Sequence, residues 1–336
     1  MTNPVLVEVA RGALVESRHR GAAVVADADG KQIFAVGDVT APIFPRSAIK
    51  ALQALPLLES GTVERYGLTD EELALACASH SGEAAHVAGV ERMLAKAGLD
   101  PSALRCGAHW PISQSAAAAL ARVGTPSALH NNCSGKHAGF LCLACAMKAE
   151  TAVDHADYIR PDHPVQRQVR AVLEDLTGAV LGEELCAIDG CSVPTWAIPL
   201  RNLAVAFAKF GAGHGLALQR ARAAARLRQA CANKPWYVAG TGRFCTEIMQ
   251  RFGGRVFVKT GAEGVFCGAL PEEGLGIAVK CDDGASRAAQ AIMAALIARF
   301  LPLDAADRAA LTPFAEPVLR NWNGIEVGKV KVSEAI

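Results

Sequence analysis

No charge of one sign dominates this sequence. Thirty-four Lys and Arg stand against 33 Asp and Glu, for a net charge of +1. The basic residues are scattered, which excludes the electrostatic footprint of a nucleic-acid binder. The most basic stretch, "RARAAARLRQA" at 220–230, alternates Arg with Ala and reads as the solvated face of a helix. An apolar leader is also lacking: "MTNPVLVEVARGALVE" is charged and alternating where a signal peptide needs a continuous apolar region. No apolar run reaches the roughly 20 residues of a membrane span. The longest candidate, "HAGFLCLACAMKAE", is too short and reads as a core helix. There is no internal repeat and no low-complexity linker. The expectation is a cytoplasmic protein with neither membrane nor nucleic acid as a partner.

The chain does have length and apolar content. Its 336 residues, 51% of them hydrophobic, suffice for a large buried core. Eleven cysteines in a chain that stays inside the cell are mostly reduced thiols, free to pack, react or bind metal. Cys142 and Cys145 form a C-x-x-C inside the alanine-rich stretch and read as packing residues. Strand patterns occur at both ends: 5–10, a hairpin over 21–38 turning at Asp29-Gly30, then 255–261, 264–270, 275–281 and 324–332. A helix is expected over 285–301. Between about 46 and 249 the patterns are helical: 46–58, 70–77, 84–97, 114–122, 136–149, 164–176, 200–210 and 215–232. We therefore expect an α+β chain forming a single domain. Its antiparallel sheet is built from about 1–45 and 250–336, with the helical part 46–249 inserted.

The segment "FPRSAIKALQALPLL", 44–58, sets Lys50 one turn after Ser47, on the same face of a helix. A serine hydroxyl is a poor nucleophile until a neighbouring base takes its proton. With 13 serines and 11 lysines, chance predicts roughly 0.4 Ser-x-x-Lys pairs, and one is present. "VKTGAEG", 258–264, carries Lys259 in a Lys-Thr-Gly, for which chance predicts about 0.04 occurrences. Two more stretches pack small polar residues among glycines. "ACASHSGE", 76–83, offers Ser79, His80 and Ser81; "HNNCSGKHAGF", 130–140, offers Asn131, Asn132, Cys133, Lys136 and His137.

Ser-x-x-Lys on an early helix with Lys-Thr-Gly on a late strand is the pattern of serine β-lactamases and penicillin-binding proteins. The middle element of that pattern, Ser-Asp-Asn, is missing. In detail, "FPRSAIK", "ASHSGE", "HNNCSGKHAGF", "DGCSVP" (189–194) and "GTGRF" (240–244) resemble the rhizobial-type (class 3) L-asparaginases, over nearly the whole chain. The resemblance implies a serine β-lactamase-like fold, hydrolysis of L-asparagine to L-aspartate and ammonia, and a homodimer. It implies two Ser-Lys pairs, Ser47 with Lys50 and Ser79 with Lys259. It also implies a zinc site from Cys133, Lys136 and Cys191, with Asp189 nearby.

Chemistry supports parts of this. Leaving a lysine neutral at pH 7 costs roughly 4.6 kcal/mol. A second lysine about 6 Å away, at an effective dielectric near 20, offsets roughly 2.8 kcal/mol of that, and burial offsets more. Lys50 is thus expected to be largely neutral and to activate Ser47, while Lys259 stays charged and holds Ser79. A helix N-terminus at Ser47 would favour an oxyanion. Ser81 is as good a candidate as Ser79 on sequence alone. Two thiolates suit zinc; residue type alone would choose His137 over Lys136 as the third ligand, and Lys136 comes from the family. Arg46 and Arg243 are candidate forks for a substrate carboxylate. His80, between two serines, is a candidate for the same pocket. The alternatives are a glutaminase or penicillin-recognising hydrolase, and, from another class, a catalytically silent zinc-binding module.

Overall fold

Alternating apolar segments from both chain ends build one antiparallel sheet. The computed structural model describes residues 2–151 and 154–336, without the side chains of 149–151. By internal contact the chain divides into two units. One comprises Met1–Ala48, Ile198–Gly215 and Arg255–Ile336, the other Ile49–Ala197 and Leu216–Gly254.

The first unit holds the sheet. Its strands are β1 (Val5–Arg11), β2 (Leu14–Asp27), β3 (Gln32–Val36), β4 (Phe257–Thr260), β5 (Val265–Leu270), β6 (Leu275–Cys281), β7 (Val318–Arg320) and β8 (Glu326–Val332). They run in the order β7-β8-β1-β2-β6-β5-β4, with β3 also paired to β2, and every pairing is antiparallel. The β2–β3 hairpin turns at Asp29-Gly30 as its sequence predicts, with Asp27 Oδ1 accepting the N–H groups of Asp29 and Lys31. In β5, Gly268 faces Met293 of the Ser286–Phe300 helix, while the next residue, Ala269, faces Gly211 of the Leu200–Ala212 helix. Successive strand residues point to opposite faces, so the two helices cover opposite sides of the sheet. That is why all six β5 residues are buried.

The α+β class and the sheet drawn from both ends are as expected; the boundary of the helical part is not. Residues 200–210, expected with the helical part, belong to the sheet unit. The cause is aromatic packing. Phe207 stacks on Phe257 of β4 with ring centroids 6.2 Å apart, and Phe210 meets the same ring edge-on at 5.2 Å.

The second unit is mainly helical. Most expected helices form with ends displaced by at most three residues, among them Asp70–Ala76, Ala84–Lys96, Ser134–Thr151 and Pro164–Thr177. Short helices Thr62–Tyr66, Pro235–Ala239 and Phe244–Phe252 were not legible. The expected continuous helix 46–58 is broken. It runs as a 3₁₀ turn (Arg46–Ile49), one α turn (Lys50–Gln53) and a further piece (Leu55–Glu59) that restarts with Pro56 in its first turn. A segment this fragmented has little aligned dipole, which removes the helix-terminus argument for an oxyanion at Ser47.

Candidate active site

In the sheet unit, Ser47 sits in the 3₁₀ turn that opens with Arg46, whose φ is +52°. A non-glycine residue in that region costs about 1–2 kcal/mol. The chain just before it is tethered, since Pro42–Ile43 pair with Ile198–Pro199. The Lys-Thr-Gly end of β4 lies against the same turn. A Cβ at Gly261 would stand 2.7 Å from the Pro45 carbonyl oxygen and 3.2 Å from Ala48 Cβ, so only glycine permits the approach. Lys259 is buried, and its Nζ donates to Thr260 O at 2.8 Å.

In the helical unit another close approach does similar work. A Cβ at Gly135 would lie 2.3 Å from Leu75 O. The Ser134–Thr151 helix therefore rides directly on the Asp70–Ala76 helix. This brings the Asn131–Lys136 motif beside the loop that carries Ser79. Ser79 is pinned by its own N–H, which donates to Val238 O at 2.9 Å, and His80 N donates to Asn132 O at 3.2 Å.

Lys50 joins the two motifs. Its Nζ is fully buried and donates to Ala78 O at 2.5 Å, Ser79 Oγ at 3.0 Å and Cys133 Sγ at 3.1 Å. The serine this lysine touches within its unit is thus Ser79, the member that the family pattern pairs with Lys259. A neutral amine here would keep two donors for Ala78 O and Cys133 and turn its lone pair to the serine hydroxyl.

Beyond Cys133 lies a second buried lysine. Lys136 Nζ donates to Cys191 Sγ at 3.1 Å, and Cys191 Sγ lies 3.6 Å from Asp189 Oδ2. Cys191 arrives on a short hairpin whose turn holds Ser192 at φ +75°. A hydrogen bond joins the two sulfurs. Cys133 is held well below the ordinary thiol value by a hydrogen bond from Cys191 and, against the cost of burial, by Lys50 and Lys136. Cys191 is pushed up by that same bond, by burial and by Asp189. Burial works against the charge on Lys136, but Cys191, Cys133 and Asp189 outweigh it and raise its pKa. Cys133 therefore lies in a buried cluster with Cys191 and the amines of Lys50 and Lys136 that favours its charged form.

The candidate substrate residues differ in how free they are. His80 spends both ring nitrogens on protein: Nδ1 accepts Gly82 N–H at 3.1 Å, which leaves Nε2–H to donate to Ser134 Oγ at 2.8 Å. It is fully buried, and burial holds it well below the ordinary histidine value. The ring orients the Ser79 loop. Arg243 is half-buried in the same unit, with Nη1 3.5 Å from Ser81 Oγ. Sequence reasoning offered Asn131 but gave it no role; its Oδ1 accepts Cys133 N–H at 2.8 Å and its Nδ2 donates to Cys106 O and Gly107 O. Sequence reasoning missed Cys106, whose thiol burial pushes up to about 12. The Asn-Asn pair before Cys133 was the available signal.

The sequence profile of the L-asparaginase II family matches residues 7–332. The chain belongs to that family. As a member of the L-asparaginase II family it is an amidohydrolase. No curated protein matches the chain. Among solved structures, a β-lactamase from Mycobacterium bovis is 16% identical, with 84% of this chain and 95% of that one covered and a TM-score of 0.41. Mglu is 17% identical, covering 90% of this chain and 73% of its own, with a TM-score of 0.38. Its native form gives 17%, 90%, 70% and 0.39. Similarity this low decides nothing about activity.

Among the described residues, no group of three or more His, Cys, Asp or Glu side chains is placed to hold a metal ion. The set that family resemblance implies includes a lysine instead. Its donor atoms do converge, with Lys136 Nζ on Cys191 Sγ and a hydrogen bond joining Cys191 to Cys133. Two sulfurs and an amine nitrogen suit zinc once the protons on Lys136 and Cys191 have left. No helix among the described residues is long and apolar enough to cross a membrane.

Proposed function

We propose that the protein is an L-asparagine amidohydrolase, taking L-asparagine and water to L-aspartate and ammonia. What carries the reading is the buried Lys50 contact to Ser79 Oγ, at 3.0 Å, in a chain of the L-asparaginase II family. The family pattern pairs Ser47 with Lys50 and Ser79 with Lys259, and on this reading Lys50, besides reaching Ser79, serves as the base for Ser47. Once Lys50 has given up one of its protons, a serine oxygen bonds to the amide carbon while the serine proton passes to the lysine amine. The C–N bond then breaks, and the lysine returns that proton to the departing nitrogen. Water adds to the resulting ester and gives a proton to the lysine amine, the bond to the serine oxygen breaks, that oxygen takes the proton back from the lysine, and L-aspartate leaves. Ser47 is the nucleophile in this scheme. Ser79 and Lys259 steady the oxyanion and the leaving group. Arg46 and Arg243 are the forks offered to the substrate carboxylate, and Asp189 the partner for its ammonium. Cys133, Cys191 and Lys136 would hold zinc, which when bound supplies a positive charge that orients the substrate. A cytoplasmic homodimer completes the reading.

The test is ammonia release from L-asparagine, with L-glutamine and a chromogenic cephalosporin in parallel, for wild type, Ser47→Ala and Ser79→Ala. Selective asparagine turnover is expected, falling at least about 10³-fold in Ser47→Ala. Preference for glutamine, one methylene longer, makes the protein a glutaminase. Turnover of the cephalosporin alone moves it to the penicillin-recognising enzymes. No turnover by folded, zinc-supplied protein makes it a silent zinc-binding module.

A further inference from the structure

Ser81, two residues on from Ser79, is bound to a second loop. Its hydroxyl donates to Ala239 O at 2.7 Å, and Arg243 Nη1 approaches the same oxygen at 3.5 Å. The turn between Ala239 and Arg243 is shaped by one carboxylate. Glu83 Oε1 accepts Thr241 N–H at 3.0 Å and Glu83 Oε2 accepts the Thr241 hydroxyl at 2.9 Å. The same Thr241 oxygen accepts Trp236 Nε1–H at 2.9 Å. Trp236 stacks on the buried His86 ring, with centroids 3.9 Å apart and planes 7° from parallel. Gly240 has φ +110°, and a Cβ there would lie 2.6 Å from Ser81 Oγ and 2.7 Å from Glu83 Oε1. No other residue would let the two loops come this close.

Both Glu83 oxygens are spent on Thr241, so the acid nearest in this clasp does not neutralise the arginine. Among the described residues Arg243 forms no ion pair with a carboxylate. What remains is a half-buried guanidinium with most of its donors open, anchored beside the catalytic loop. A planar fork of donors matches a carboxylate.

We infer that Glu83 and Thr241 are positioning residues, a clasp that fixes Arg243 beside Ser81 as the receptor for the α-carboxylate of an amino-acid amide. This rests on the asparaginase reading above and adds how the substrate class is chosen. Without the clasp, the turn is free to hinge at Gly240 and Gly242, and the guanidinium loses its aim.

The experiment compares kcat/KM for L-asparagine with that for 3-aminopropanamide, which keeps the amide and amine but lacks the α-carboxylate. In Arg243→Ala the preference for asparagine should fall about 10- to 100-fold, the worth of a charged hydrogen-bond pair. Thr241→Val should reproduce most of that fall, in KM rather than kcat, and Thr241→Ser should restore it. Thermal midpoints and L-aspartate binding by calorimetry are read on the same samples, and Glu83→Gln repeats the test should Thr241→Val not fold. An unchanged preference in folded Thr241→Val and Glu83→Gln overturns the clasp, as does an equal loss for both amides, which marks a merely structural role. A wild-type preference retained in Arg243→Ala also overturns it, while asparagine turnover leaves the asparaginase reading standing. If the wild type neither hydrolyses asparagine nor binds L-aspartate, both fall.

Discussion

Replacing Lys50 by Met keeps the side chain's length and removes three donors from the centre at once. Nζ lies 3.1 Å from Cys133 Sγ. Unit charges at that separation, at an effective dielectric near 20, attract by about 5 kcal/mol, which is an upper bound. Measured charged hydrogen bonds are worth about 1.5–3 kcal/mol net. The smaller figure should govern, because Lys136 and the Cys191 hydrogen bond also support the thiolate and remain in the variant. At about 1.4 kcal/mol per unit, the Cys133 pKa should rise by about one to two units. The assay is the ultraviolet thiolate absorbance as a function of pH in wild type and Lys50→Met, with Cys133→Ser subtracted from each. Stability should move with it. A thiol whose folded pKa is depressed stabilises the fold fully above its unfolded value and loses that contribution as pH falls through the folded value. Lys50→Met narrows this window, and it also strips the donor from Ala78 O, at a cost of about 1–3 kcal/mol. Urea unfolding above neutral pH reads both. An unchanged Cys133 midpoint in folded Lys50→Met would refute the idea that Lys50 is the thiolate's partner.

Two further outcomes follow from the same buried groups. His80 and His137 are fully buried, and burial holds both well below the ordinary histidine value. As pH falls below about 6.5 the unfolded chain takes up protons that the folded chain refuses. Stability should therefore drop by up to about 3 kcal/mol per pH unit for the pair. Urea midpoints that do not move between pH 7 and 5.5 would contradict this. Zinc, if it binds at Cys133, Lys136 and Cys191, must displace the protons that Lys136 and Cys191 retain, so its affinity should rise with pH. Calorimetry in buffers of different ionisation enthalpy should count about two protons released near neutral pH. Release of none, or equal binding by Cys133→Ser, would place the metal elsewhere.

The sequence alone determined the parts that depend on near neighbours. Helix periodicity, the Asp29-Gly30 turn and the alternating ends sufficed for the α+β class and most element boundaries, because three- and two-residue repeats are set by local backbone geometry. Its five spaced motifs also sufficed for the family. Other features were decided by contacts far apart in the chain. The Leu200–Ala212 helix carries an amphipathic pattern that would suit many partners, and only the Phe257 ring opposite Phe207 and Phe210 assigns it to the sheet. The Ser-x-x-Lys spacing points Lys50 at Ser47, yet the side chain's three donors are filled by Ala78, Ser79 and Cys133. That outcome turns on Gly135 letting two helix backbones touch, which no local pattern announces. The Glu83–Thr241 clasp is likewise silent in sequence, since a carboxylate and a hydroxyl 158 residues apart acquire a meaning only when the fold brings them within hydrogen-bond reach.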